Sequence, residues 1–373
     1  MNIGIDLRCL QEKERTGVGE YAYELVQNIL KQDRANRYFL FFNSLGKADI
    51  PKFDLPNATI TRFRLPNKLL NICFLLFKYP KLDRLISKKF GLEKLDMFFS
   101  PNLNFVALSK NTKRVITLDD LSFEFFPEHF TIKQRIWHAL ARPKKQCQSA
   151  DLIITPSENT RRDVIKYFNV SPGKVSVIYP GLSSIFTGTK QNINNLVSGK
   201  YLLFLGTIEP RKNILVLLAA FEKLAENFSD IKLVIAGARG WKNKQILKKV
   251  RASRYSDRII LPGYISDNDK KGLYENALAF IYPSLYEGFG FPVLEAMAAG
   301  VPVITSGRSS LPEITEGSAL LIDPRRPEEL YSAIKRLLDS QELHRDTTEK
   351  GLKLAKKFSW ERAAKEWMSL TNS

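Results

Sequence analysis

Ala279-Phe-Ile-Tyr282-Pro-Ser-Leu-Tyr-Glu287-Gly-Phe-Gly-Phe-Pro-Val-Leu-Glu295-Ala-Met-Ala-Ala-Gly300-Val-Pro302-Val-Ile-Thr305 reads as a strand, a glycine-rich loop, a helix and a second strand. Short apolar runs bounded by turn residues are the mark of buried strands, while Pro292 suits the first turn of a helix and Gly300 its end. Strand, helix, strand is the unit from which a parallel sheet is built. The spacing puts Glu287 on the entering loop and Glu295 inside the helix, both near one helix N-terminus. Free backbone N–H groups there can take phosphate or sugar oxygens, and Gly288 and Gly290 let a ligand come close to the backbone. A glutamate near a first helical turn is also favoured by the helix dipole alone, so the pair by itself leaves both readings open.

The same texture extends in both directions. Tyr201-Leu-Leu-Phe-Leu205, a helix over 214–226, Lys232-Leu-Val-Ile-Ala236, Arg258-Ile-Ile-Leu261 and Ala319-Leu-Leu-Ile322 complete one series. An earlier series runs through Ile3-Gly-Ile-Asp6, a helix over 21–30, Tyr38-Phe-Leu-Phe-Phe42, Met97-Phe-Phe99, Arg114-Val-Ile-Thr117, Asp151-Leu-Ile-Ile154 and Val175-Ser-Val-Ile178. Between them the polar Thr-Lys-Gln-Asn-Ile-Asn-Asn at 189–195 has little to bury and reads as a linker. The expected fold class is therefore α/β, with two Rossmann-like parallel-sheet domains at 1–187 and 188–357 facing a cleft. An amphipathic helix over 358–373 is expected to pack back on the first domain. Ligands of open parallel sheets sit beyond the carboxyl ends of the strands.

A chain of 373 residues, 44% hydrophobic, has enough apolar material for two cores. Its three cysteines, Cys9, Cys73 and Cys147, are too few and too scattered for a disulfide framework or a metal clip, which suits a reducing compartment. The opening Met-Asn-Ile-Gly-Ile-Asp has no basic segment followed by an apolar one, so no secretory signal is expected and the cytoplasm is the expected location. The apolar stretch 69–77 is far short of the roughly 20 residues that span a bilayer. Lys and Arg outnumber Asp and Glu by 57 to 39, a net charge of +18 that attracts nucleic acid, acidic lipid or phosphorylated small molecules alike. Around 69–77 the basic residues Arg62, Arg64, Lys68, Lys78, Lys81, Arg84, Lys88 and Lys89 face only Asp83. Two readings stand: a peripheral contact with an anionic membrane, on its inner face, or a core helix with a solvated basic flank.

Thr16-Gly17-Val18-Gly19 precedes a helix, where small residues could admit a phosphate or an acceptor, although a lone Gly-x-Gly is often only a turn. His129 and His138 have no partner spacing for zinc and read as structural. Asp119-Asp120 could be half of a metal pair, but metal sites need more converging ligands.

The 284–300 segment resembles the family 4 glycosyltransferases of the retaining GT-B class, whose signature is a glutamate, seven residues and a second glutamate in a Glu-Gly-Phe-Gly-like loop followed by an Ala-rich turn. The resemblance extends in order to Thr16-Gly17-Val-Gly19, Asp120-Leu-Ser-Phe-Glu-Phe-Phe-Pro-Glu128, Asp151-Leu-Ile-Ile-Thr-Pro-Ser157, Tyr179-Pro-Gly181, Phe204-Leu-Gly206-Thr-Ile-Glu209-Pro-Arg211-Lys212-Asn213 and Gly263-Tyr264-Ile265. It implies transfer of a hexose with retention from a nucleotide-sugar held by 188–357 to a glycan or lipid-linked glycan held by 1–187. By that resemblance Arg211 and Lys212 grip the donor diphosphate, Glu295 holds the ribose, and Glu287 with the Phe289 and Gly290 backbone holds sugar hydroxyls. Gly17, Gly19, Gly206, Gly263, Tyr264, Ile265, Gly288 and Phe291 complete the implied donor site. Fixed cations at the phosphate end stabilise charge that grows on the leaving diphosphate, so neither a metal nor a bound cofactor is expected. The run through Phe123 and Glu128 resembles mannosyltransferases of surface polysaccharide assembly, making GDP-mannose the first donor expectation and a UDP-hexose the second. One departure concerns Asp119-Asp120, which are catalytic candidates by position. Many relatives carry His-Asp there, so a carboxylate at Asp119 bears on the histidine's role beside the sugar.

Three other readings are weighed. A nucleotide-sugar epimerase would share the sheets without needing the Glu287/Glu295 loop. A nucleic-acid-binding protein draws only on the charge, with no recognition motif, so no specific nucleic acid is expected. A noncatalytic lectin-like relative sits poorly with intact glutamates and an intact Arg-Lys pair.

Overall fold

The computed structural model describes residues 1–11, 17–45, 50–53, 55–187 and 196–372. Thr16 and the 189–195 linker lie outside the described residues. The chain forms two compact units, the first made of Met1–Leu121, Lys133–Gly181 and Ser359–Ser373, the second of Ser122–Ile132 and Leu182–Phe358.

The first unit contains seven parallel strands: β1 (Asn2–Asp6), β2 (Arg37–Asn43), β3 (Ala58–Phe63), β4 (Met97–Ser100), β5 (Lys113–Thr117), β6 (Leu152–Thr155) and β7 (Val175–Val177). Their order is β3-β2-β1-β4-β5-β6-β7. Tyr38 to Phe42 and Met97 to Phe99 are buried without alternation, as expected of strands covered on both faces. Reading the sequence did not anticipate β3. Ala-Thr-Ile-Thr-Arg-Phe mixes polar with apolar residues because it lies at the sheet edge, where Ile60 is open to solvent.

The helix Trp360–Asn372 belongs to this first unit. Trp360 and Trp367 are buried, with Trp360 edge-on to Tyr21 at 5.8 Å and Trp367 against Phe99 at 5.3 Å. Gly181 makes room for the helix start: a Cβ there would lie 2.1 Å from the Trp360 backbone nitrogen.

The second unit holds β8 (Tyr201–Leu205), β9 (Lys232–Ala236), β10 (Ile259–Gly263), β11 (Ala279–Tyr282), β12 (Val303–Ser306) and β13 (Leu320–Ile322), all parallel, in the order β10-β9-β8-β11-β12-β13. The order reverses between β8 and β11, so the loops leaving those two strands diverge and open a crevice at their carboxyl ends. The segment 122–132 departs from the sequence expectation, which put it in the first domain. It packs in the second unit because its aromatic residues find their partners there: Phe125 meets Tyr286 at 5.3 Å and Phe130 stacks on Trp241 at 5.8 Å. Among the described residues no helix is long and apolar enough to cross a membrane.

Candidate active site

Both loops at the β8/β11 reversal carry charge. After β8 the chain enters a tight turn at Pro210–Lys212, and after β11 it passes through Pro283 to Glu287. The loops are joined through their backbones, with the Leu285 N–H donating to the Arg211 carbonyl at 2.9 Å. That link fixes the distance at which their side chains meet.

Glu287 is at the centre. Its Oε1 accepts from Lys212 Nζ at 2.6 Å, Ser284 Oγ at 2.6 Å and the Tyr282 hydroxyl at 3.0 Å, while Oε2 accepts from Arg211 Nη1 at 2.9 Å. Arg211 is gripped from its other side by Glu209, whose Oε1 accepts from Nε at 3.1 Å and from Nη2 at 2.8 Å, and its Nη1 also reaches the Tyr286 carbonyl at 2.7 Å. Glu209, Lys212 and Glu287 are all buried. Two carboxylates therefore neutralise two cations in a site shielded from water. Glu209 Oε2 meets no donor among the described residues.

Burial would raise the Glu287 carboxyl, but the adjacent Arg211 and Lys212 outweigh it and hold it down to about 2. Burial lowers the Lys212 ammonium, helped by Arg211 and opposed by Glu287 and Glu209. Tyr282 is pushed well above its usual range by burial and by Glu287, so its hydroxyl stays a donor. The loop backbone is fixed by two serines: the Glu287 N–H donates to Ser309 Oγ at 2.9 Å, and Ser310 Oγ donates to the carbonyls of Glu287 at 3.0 Å and Phe289 at 2.7 Å.

Glu295 occupies a separate position. It lies within the helix Phe291–Ala298, buried, with Oε2 accepting from the Tyr274 hydroxyl at 3.0 Å and Oε1 paired with Lys270. The two motif glutamates therefore have different cationic partners. Gly290 caps this helix in a left-handed conformation at φ 116°, and Phe289 packs edge-on to Phe291 at 5.1 Å. Gly288 lies between Glu287 and Phe289 on the same loop. Gly206 directly follows β8 and lies so close to Gly237 that a Cβ at Gly237 would lie 2.1 Å from the Gly206 carbonyl oxygen. Gly263 ends β10, followed by Tyr264 with its ring exposed and Ile265 half-buried.

In the first unit, Gly17 and Gly19 open the helix Gly17–Gln32. Asp119 and Asp120 follow β5, each partly buried. Burial, then repulsion from Asp120, pushes the Asp119 carboxyl up to about 8, so it carries a proton at neutral pH. Among the described residues no three His, Cys, Asp or Glu side chains converge as a metal site. His129 stacks on Phe126 at 5.3 Å, and its carbonyl accepts from Trp241 Nε1 at 2.7 Å. Burial lowers both His129 and His138.

Sequence reasoning missed Glu209, Tyr282, Ser284, Ser309, Ser310, Lys270 and Tyr274. Glu209 carried a signal, being two residues before Arg211 across a proline that turns both side chains toward one loop. Ser309 and Ser310 carried none, since they act on a loop some twenty residues away.

Two family models match the chain: Glycosyl transferases group 1 over residues 188–354 and Glycosyltransferase Family 4 over residues 15–184. The chain is 30% identical over 357 residues, 93% of each sequence, to the O-antigen chain mannosyltransferase B of Escherichia coli. It is 29% identical over 299 residues to the O-antigen chain mannosyltransferase RfbU of Salmonella typhimurium, covering 80% of this chain and 78% of that one. Among solved structures, the sucrose-phosphate synthase of Thermosynechococcus elongatus is similar with a TM-score of 0.76 and 18% identity, over 100% of this chain and 98% of the other.

Proposed function

Because the chain belongs to the group 1, family 4 glycosyltransferases and has their α/β GT-B fold, we propose that it is a retaining, metal-independent hexosyltransferase. In this proposal it transfers mannose from GDP-mannose to a glycan or lipid-linked glycan, and meets that acceptor at an anionic membrane. The observation that carries the reading is the Arg211–Lys212 pair, held between Glu209 and Glu287 where the strand order of the second sheet reverses. Cations fixed in advance need no rearrangement as the sugar departs. The anomeric carbon loses its bond to the diphosphate, which keeps the electron pair. The acceptor oxygen bonds that carbon on the same face, and its proton passes to the diphosphate. Charge on the diphosphate grows through this step, so cations fixed beside it stabilise the transition state more than the ground state. Lys212 gives two ammonium hydrogens to Tyr282 and Glu287, leaving the third for a phosphate oxygen. Glu209 Oε2 is the matching open acceptor. Mannose is favoured by the names of the two relatives at about 30% identity, with a UDP-hexose as the alternative donor.

The test is turnover of GDP-mannose against UDP-glucose in excess chelator, with the anomeric configuration of the product read by NMR. Arg211→Ala and Lys212→Ala should each lower turnover by about 10² or more while the fold survives. Near-wild-type turnover in both variants would remove the phosphate assignment, and chelator sensitivity reversed by Mg²⁺ would remove metal independence.

A further inference from the structure

The helix Asn67–Phe77 is apolar on both sides. Leu70 and Phe74 face inward, into a cluster with Phe39, Phe41, Phe98 and Phe105. On the outer side Leu69 is 55% exposed, Ile72 50%, Leu76 66% and Phe77 70%. A surface helix normally turns polar residues outward, and exposed aliphatic groups in register mark a surface that something covers. A second helix, Ile132–Ala141, repeats the pattern: Trp137 and Ala141 pack on the same inner cluster, while Ile136 and Leu140 are 55% and 43% exposed. With their inner sides on one cluster, both helices cover one face of the first sheet.

The charge around them decides the occupant. Residues 62–90 contain one acid, Asp83, which is buried and accepts from the Ser109 N–H at 2.9 Å, and residues 133–150 contain none. Lys68, Lys78, Lys133 and Arg135 are exposed on the two helices or at their ends. Lys81 and Lys89 are committed elsewhere, donating to the carbonyls of Leu108 and Arg62, so they contribute less than the sequence implied. A second copy of this face would set cations against cations. Nucleic acid would use the cations and leave the leucines and isoleucines in water. An anionic bilayer satisfies both, taking aliphatic side chains at the acyl boundary and lysines among its headgroups.

We propose that Leu69, Ile72, Leu76, Phe77, Ile136 and Leu140, with the flanking cations, form a two-helix face that docks on anionic lipid. It deepens the lipid-linked acceptor reading and rests on that reading only for its purpose, since docking itself requires neither donor nor acceptor.

The test is sedimentation of the full chain with phosphatidylglycerol-containing vesicles and with pure phosphatidylcholine vesicles, free of nucleotide-sugar and acceptor. Binding is expected only to the first and should weaken with salt. Replacing Lys68, Lys78, Lys133 and Arg135 by Gln should weaken it at least about ten-fold. Ile72→Ser with Leu76→Ser and Ile136→Ser should weaken it by a similar factor, because insertion needs the apolar groups too. All seven of these donor-remote substitutions lie outside the β8/β11 site, and the Ile and Leu changes replace exposed side chains, so melting temperature and nucleotide-sugar affinity serve as the fold and function controls. Wild-type vesicle binding in both variants overturns the proposal. So does loss in the charge variant alone, which would make the contact electrostatic only, or a self-associating parent that ignores vesicles and becomes monomeric in the serine variant. A chain that docks as expected but transfers no sugar would instead defeat the functional reading and leave the docking face intact.

Discussion

A carboxyl raised to about 8 is a hydrogen-bond donor at neutral pH, and Asp119, two residues after β5, is in that state. The folded chain holds a proton there that the unfolded chain, with an ordinary value of 3.8, releases. Asp119 therefore contributes a stability term that declines as pH rises from 3.8 to about 8 and is flat above it. Asp119→Asn is neutral throughout. It should flatten that slope and melt higher than the parent at the alkaline end of the window, with no advantage at the acid end, in calorimetry across a pH series. If the two chains keep parallel profiles, the carboxyl is ionised in the folded protein. Glu287 behaves oppositely. Its depressed value makes the contribution of its ion pairs complete above 4.5 and lost as pH falls toward 2, so the same series should show acid destabilisation originating in the other unit.

At the level of elements, the start of the helix Phe291–Ala298 depends on Gly290, whose φ of 116° is costly for an L side chain and whose added Cβ would lie 2.8 Å from Leu311 Cδ2. Gly290→Ala should cost about 1–3 kcal/mol and raise the KM for donor, since the backbone that holds Glu287 shifts with it. Gly91→Ala is the control: at φ 62° it has nothing within 4 Å, and thermal melts should show a smaller loss. Most elements could be read from residues because a doubly covered strand is a burst of apolar residues, as in Phe98 and Phe99 or Leu233 to Ile235. β3 could not, since an edge strand needs no such burst. The charged centre of the site was legible in Arg211, Lys212 and Glu287 because charged residues after strands and beside glycines stand out. Its supports were not. Tyr282 and Ser284 look like the end of a strand and a turn, and only the closing of two loops reveals that they hold a carboxylate. The placing of 122–132 was equally hidden, because it depends on Trp241 and Tyr286, more than a hundred residues downstream.

Along the chain, the first unit is interrupted by the second and completed by its own C-terminal helix. Sheet strands of the first unit are complete in the chain by Val177, yet Tyr21 and Phe99 find their tryptophan partners only on the helix Trp360–Asn372, about 180 residues later. At roughly 5–20 residues per second on the ribosome, this leaves on the order of 10–40 s between making the seam and making what covers it. The second unit, whose residues end at Phe358, has all its parts before the first unit does. Chains stalled with residues 1–358 outside the ribosome should show a protease-resistant second unit and a first unit still cut near the helix Gly17–Gln32, and resistance should spread to that helix once Trp367 has emerged. Equal protection of both units at the earlier length would mean that the seam is stable uncovered. In order of manufacture, the end of the chain that is made first is the last to be finished.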